Sequence, residues 1–175
     1  EPSRRQRQMC IRDSPWTLAC YVLGGGGSKD DFIQVRKWLY KQPDLLMLLL
    51  EKLTDHIIKY LTMQIKKGAD AIMLFDSWGG LLSYQNFPVY SLHYLEKIIV
   101  KLNESFPNIP KIVFVKGGGV WLDSIVQLDC SGIGIDWTVD LNSSKKLAAK
   151  NCAVKGKIDP AVLLGDRNFV RKEVK

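Results

Sequence analysis

The stretch ADAIMLFDSWGG, Ala69–Gly80, begins apolar and turns polar at Asp76 and Ser77. A short β-prone run that ends in this way reads as a buried strand whose carboxyl end presents Asp76 and Ser77. Three other segments have the same build. IVFV (112–115) runs into Lys116-Gly117-Gly118-Gly119, GIGI (132–135) into Asp136-Trp137-Thr138, and Ala153-Val154 into Lys155-Gly156-Lys157-Ile158-Asp159-Pro160. Segments with helical periodicity lie between them. Strands alternating with helices predict an α/β fold with a parallel sheet. The strand ends of such a sheet share one side, where α/β barrels and open α/β sheets both keep their sites.

With 175 residues the chain can bury a full core as one domain. A complete eight-fold barrel typically takes about 250 residues. Strand starts near Ala71, Ile112, Ile133 and Ala153 indicate four or five successive βα units. Either a small open α/β domain or part of a larger barrel satisfies that count.

The net charge is +7, of which residues 1–14 contribute four arginines, Arg4, Arg5, Arg7 and Arg12, against Glu1 and Asp13. The basic remainder suits an anionic ligand such as a phosphate, a polycarboxylate or a nucleic acid. Lysines spread along helices are equally an ordinary solvated face. Aromatic and basic residues do not interleave as a base-stacking platform requires, so no nucleic-acid partner is expected.

Cys10, Cys20, Cys130 and Cys152 show neither a CxxC pair nor metal-ligand spacing. Together with the lack of a secretory leader in the sequence, this predicts free thiols in a reducing, intracellular setting. His56 and His93 fall within helical segments away from any paired ligand, and read as surface or packing residues, not zinc ligands. No charge-free apolar run reaches about 18 residues, so no membrane span is expected.

Residues 1–14, EPSRRQRQMCIRDS, lack a helical or strand period and are expected to be a tail, foreign to a single domain at 15–175. PWTLACYVL (15–23) is expected to be a strand or strand end leading into Gly24-Gly25-Gly26-Gly27-Ser28-Lys29. That run fails the GxxxxGK[ST] pattern of a phosphate loop, and nothing large enough to need a tether precedes it. It is best read as a loop that passes close to a ligand or takes positive φ. Asp30 or Asp31 is expected to cap a helix over Phe32–Tyr40. Pro43 opens a second helix that ends near Lys67 with Gly68 as its C-cap. The leucines at 45–50 suggest burial on more than one side of that helix. A third helix covers about Leu92–Glu104 before Pro107 and Pro110, and short helices are expected at 119–129 and 143–150.

Taken in order, PWTLACYVLGGGGSKDD, GADAIMLFDSWGGLLS, FVKGGG, GIDWTVDL and VKGKIDP resemble the middle and later part of the uroporphyrinogen decarboxylase family, over Pro15 to about Leu164. The resemblance implies an incomplete (β/α)8 barrel, a homodimer in the full-length enzyme, and a cleft at the carboxyl ends of the strands. The implied reaction removes the four acetate carboxylates of uroporphyrinogen III to give coproporphyrinogen III, on the route to haem and chlorophyll. It implies no cofactor, because a protonated pyrrole is its own electron sink. In the family a tyrosine before the glycine-rich loop and a serine after the FDS strand contact the porphyrinogen substrate; by motif these are Tyr21 and Ser77. Without the resemblance they read as a strand tyrosine and a helix-capping serine. Asp76, Asp136 and Asp159 are expected to act as caps and strand-end acceptors. Lys116 is either a carboxylate partner or a solvent-facing loop lysine.

The family's arginine-rich segment and a substrate-gathering aspartate belong upstream of PWTL, and a late histidine belongs beyond Lys175. Gly24 stands where the family often has glutamate, and Lys157 where it has asparagine. No catalytic residue is therefore assigned within these positions. The polypeptide on its own is expected to be poorly folded and inactive, and the full-length parent to be active. Competing readings are a non-catalytic ligand-binding or dimerising barrel remnant and a relative of cobalamin-dependent methyltransferases, although the latter need a His/Cys zinc set that the spacing here does not offer. The expected location is the cytoplasm, with a plastid as the alternative.

Overall fold

The computed structural model describes residues 8–25, 31–139, 152–156 and 158–173. The strands are β1 (Met9–Asp13), β2 (Ala71–Asp76), β3 (Lys111–Val115), β4 (Gly132–Ile135) and β5 (Ala153–Gly156). They form one sheet in the order β1-β2-β3-β4-β5, and every pairing is parallel. Each strand lies beside the next one in the chain. A doubly wound sheet reverses its strand order partway along; this one never does, which is the winding of a barrel. The fold is an arc of a (β/α)8 barrel, with β1 and β5 at its two edges among the described residues.

The register separates two faces. Arg12, Leu74, Val113, Ile133 and Val154 share a row. Leu74, Val113 and Ile133 in that row are buried under the helices, and the Arg12 guanidinium lies 3.7 Å from the ring centroid of Tyr60 in the helix layer. The adjacent row, Asp13, Phe75, Phe114, Gly134 and Lys155, faces the inside of the arc, where the rings of Phe75 and Phe114 stand 4.4 Å apart. Gly134 is dictated by that ring, since a Cβ there would lie 2.7 Å from Phe114 Cδ2.

The outer layer is α1 (Pro15–Gly24), α2 (Ile33–Lys41), α3 (Pro43–Lys66) and α4 (His93–Ser105), with a short α5 (Leu122–Ile125) and α6 (Arg167–Glu173). Helix α3 packs on α1, α2 and α4 and lies over β1. Its Leu46, Leu50, Ile57, Leu61 and Ile65 recur at helical spacing and are buried.

Several expectations are corrected. PWTLACYVL is helix α1, not a strand. The Ser14 hydroxyl accepts from the Thr17 N–H at 3.0 Å, Pro15 takes the first helical position, and Gly25 closes the helix at φ 69°. Trp16, Ala19 and Cys20 are buried at the i, i+3, i+4 spacing of a helix. The expected boundary at residue 15 also moves. Met9–Asp13 is a strand in register with Ala71–Phe75, and Ser14 N–H donates to Phe75 O at 2.9 Å. Residues 8–14 thus belong to the sheet, while residues 1–7 of the expected tail lie outside the described residues.

Among the described residues helix α2 has no side-chain cap; Asp31 does not cap it, and Asp30, the other expected cap, lies outside the described residues. Phe32 holds the N-cap position at φ 53°, with Asp31 before it at φ 46°. Burial of the Phe32 ring against Trp78 sets this geometry. Helix α3 is buried on one side only, as Leu45 and Leu48 are more than half exposed. The short helix expected at 143–150 and most of the glycine run lie outside the described residues. No described helix is long and apolar enough to cross a membrane.

Candidate active site at the strand carboxyl ends

Asp76 is the last residue of β2 and is completely buried on the helix side of the sheet. Its Oδ1 accepts from the Thr17 hydroxyl at 2.9 Å and from the Trp78 N–H at 3.3 Å, and its Oδ2 accepts from the Ser91 hydroxyl. Ser91 is delivered by a π-type turn, Pro88–Leu92, that precedes α4. Burial raises the carboxyl above its ordinary value, against the opposing pull of the Ser91, Thr17 and Ser14 hydroxyls and the Trp78 N–H. Asp76 is a strand-end acceptor that ties α1 and the π turn to β2, and it leaves the next residues, Ser77 and Trp78, to face the site.

The loop after β2 meets the loop after β3 through glycine. Gly80 N–H donates to Lys116 O at 3.1 Å, and a Cβ on Gly80 would stand 2.7 Å from that oxygen and 3.0 Å from Gly117 Cα. Gly117 itself sits at φ 70°. Asp136, after β4, accepts from the N–H of Gly117 and from both the N–H and hydroxyl of Thr138. Burial alone would raise its carboxyl. The Thr138 and Gly117 donors and the nearby Lys116 charge outweigh it and hold Asp136 below the ordinary value.

These three loops enclose a cavity of about 220 Å³. Ser77, Trp78, Gly80 and Leu81 line it from β2, Lys116 and Gly117 from β3, and Asp136, Trp137 and Thr138 from β4. Lys116 Nζ stands 5.6 Å from the Trp78 ring centroid, a cation over an aromatic face. The cavity therefore combines one exposed ammonium, two hydroxyls, two indoles and the Asp136 carboxylate, whose oxygens are taken up by the Gly117 and Thr138 donors. That is a lining able to hold a carboxylate at Lys116 and a flat ring against Trp78.

Of the two residues singled out by motif, Ser77 lines this cavity and Tyr21 does not. Tyr21 occupies the last turn of α1 and reaches the site through Trp78, their ring centroids being 6.5 Å apart. Phe32 completes the cluster, 5.9 Å from Tyr21 and 4.9 Å from Trp78. Asp159 lies elsewhere and caps a 3-10 turn, Pro160–Leu164, through the Ala161 N–H. His56 bonds the Lys52 carbonyl within α3, and His93 opens α4.

Trp78 is the residue that sequence reasoning overlooked. It joins Ser77, Tyr21 and Lys116, and the Trp16 indole N–H fixes its carbonyl at 2.9 Å. The signal was present as an aromatic directly after a strand-end Asp-Ser, but only the fold shows which groups meet on it.

Comparison with known proteins agrees with this geometry. The family model described as uroporphyrinogen decarboxylase (URO-D) matches residues 10–175. The chain is 45% identical over 161 residues to uroporphyrinogen decarboxylase of Legionella pneumophila (strain Paris), covering 92% of this chain and 46% of that protein. It is 43% identical over 164 residues to the enzyme of Aromatoleum aromaticum, covering 93% and 46%. The chain thus spans about half the length of the curated relatives it matches. A methyltransferase from Methanosarcina mazei shares the fold, with a TM-score of 0.77 at 19% identity over 98% of this chain and 49% of its own. Winding, strand-end motifs and sequence identity converge, and the chain belongs to the uroporphyrinogen decarboxylase family.

Proposed function

We propose that this chain supplies part of the cleft of a uroporphyrinogen decarboxylase, the carboxy-lyase that converts uroporphyrinogen III into coproporphyrinogen III. The observation that carries the reading is the cavity at the ends of β2, β3 and β4, where Ser77, Trp78 and Lys116 meet, in a chain of this family. A pyrrole acetate is a poor carbanion source until its ring is protonated. Once it is, the electrons of the breaking C–C bond flow into the ring and carbon dioxide leaves. The methylene carbon then takes a proton. The protein's part is to hold a polyanionic substrate, orient one acetate for loss and exclude water. Ser77 serves as a donor to the porphyrinogen, Lys116 as a counter-charge for a carboxylate, and Tyr21 as a contact at the far side of Trp78.

A cavity of about 220 Å³ is smaller than the 300–1,000 Å³ of ordinary ligand pockets and suits one pyrrole with its acid arms. The remaining wall of the cleft falls to barrel strands beyond the five described. The polypeptide 1–175 alone is accordingly expected to be inactive.

The test uses a full-length enzyme carrying this sequence. Tyr21→Phe and Ser77→Ala are each expected to lower kcat/KM about tenfold or more, the worth of one hydrogen bond to an ionised group. Wild-type rates in both variants would remove these two residues from the site. Turnover of uroporphyrinogen by purified 1–175 would overturn the claim that the arc alone is inactive.

A further inference from the structure

At the opposite end of the sheet from the cavity, two cysteines lie side by side. Cys130 precedes β4 and Cys152 precedes β5, and the pairing of Gly132 with Ala153 places them diagonally across adjacent strand starts. The Cys152 thiol donates to the Cys130 carbonyl at 3.7 Å, and its sulfur is near enough to the Cys130 thiol to raise its pKa. The Ala153 N–H donates to Ser131 O at 3.0 Å, so the backbone is already joined at this point. None of the four cysteines is in a disulfide, and both members of this pair are half-buried.

We propose that Cys130 and Cys152 are a modification site: a dithiol that a hydroperoxide closes to a disulfide, stapling β5 to β4. Burial, and then the adjoining Cys152 sulfur, push the Cys130 thiol up to about 12, so Cys130 is a poor thiolate. Attack of the Cys152 sulfur on the peroxide breaks the O–O bond, forms a sulfenic acid and releases one water or alcohol. The Cys130 sulfur then displaces the sulfenic oxygen as a second water. Two thiols lose two hydrogens and two electrons, which the hydroperoxide accepts.

The consequence falls on β5. All four of its residues are exposed, and its only strand partner among the described residues is β4. A cross-link at the residue just before it fixes the strand to the sheet without touching the cavity, since β4 itself spans about 13 Å at 3.3 Å per residue.

The experiment treats the reduced full-length enzyme carrying this sequence with hydrogen peroxide, blocks remaining thiols, and maps peptides by mass spectrometry without reduction. The expected product joins the Cys130 and Cys152 peptides, two hydrogens lighter than their sum and reversible with dithiothreitol, while Cys20, fully buried in α1, stays a thiol. Hydrogen exchange of the Ala153–Gly156 amides should slow about tenfold or more in the oxidised form. The same treatment in concentrated urea should spread the linkage among all cysteines. Equal yield of the 130–152 link with and without urea overturns the proposal, because chain flexibility would then suffice. Recovery of the two residues as separate oxidised or alkylated thiols, or joined to Cys10 or to a second chain, overturns it as well.

Discussion

The Thr17 hydroxyl donates to Asp76 Oδ1 across 2.9 Å, with both residues fully buried and 59 positions apart in the chain. This one bond joins the first turn of α1 to the end of β2 and so sets the wall behind Ser77 and Trp78. Replacing Thr17 by Val keeps the shape and removes the donor. The expected cost is about 1–3 kcal/mol, read from the urea midpoint. Asp76→Ala should cost more, because it leaves the Thr17 and Ser91 hydroxyls without their acceptor.

The pH dependence of stability carries two opposite contributions. The Asp76 carboxyl is held above its ordinary 3.8 by burial, so the folded protein keeps its proton where the unfolded chain has already lost it. Its contribution is fully present below pH 3.8 and falls as pH rises through the raised native value. Asp76→Asn should flatten that decline in a series of urea titrations.

Asp136 works the other way. Burial opposes its ionised form, but the Thr138 and Gly117 donors and Lys116 prevail and hold its carboxyl low. Its contribution is complete above the ordinary value of 3.8 and is lost as pH falls through the depressed native one. Asp136→Asn should therefore remove part of the acid-side loss, and an unchanged acid limb would contradict this assignment.

Two glycines separate steric from conformational cost. A methyl on Gly80 would stand 2.7 Å from Lys116 O, a backbone atom that cannot swing aside, whereas one on Gly25 meets nothing within 4 Å among the described residues but the residue sits at φ 69°. Gly80→Ala is expected to lose about 1–3 kcal/mol through forced separation of the two loops. Gly25→Ala should lose about 1 kcal/mol through backbone strain alone. Near-ultraviolet circular dichroism distinguishes them, since only the former should disturb the tryptophan signals around the cavity.

Trp78 places its indole Nε1 in the interior without an acceptor among the described residues while its ring packs edge-on against Phe32 and Tyr21. Trp78→Phe discards the unsatisfied donor and keeps most of the ring contact, and is expected to change stability by less than about 1.5 kcal/mol. Trp78→Ala removes the contact and should cost about 3–5 kcal/mol. Equal losses in the two variants would show that the N–H, and not the ring, matters.

The sequence by itself determined the strands at 71–76, 111–115, 132–135 and 153–156, because each is a short β-prone run closed by Gly, Asp or Lys. It determined helix α3 through the periodicity from Leu46 to Ile65 and the Pro43 start. Ser77 and Asp136 were legible as strand-end residues for the same reason. Strand β1 was not, since MCIRD alternates weakly and gains its identity only from pairing with AIMLF beside it. Helix α1 was misread because its apolar run suits either state locally; the Ser14 cap and the burial of Trp16, Ala19 and Cys20 on one side settle it.

Only the tertiary structure decided which polar groups meet. Asp76 turns away from the cavity toward Thr17 and Ser91, and Trp78 bridges Tyr21 to Lys116. Cys130 touches Cys152 although 22 positions separate them. Contacts of that kind depend on strand register and on which side of the pleat each residue falls. Both are fixed by pairing across the sheet and not by any local pattern along the chain.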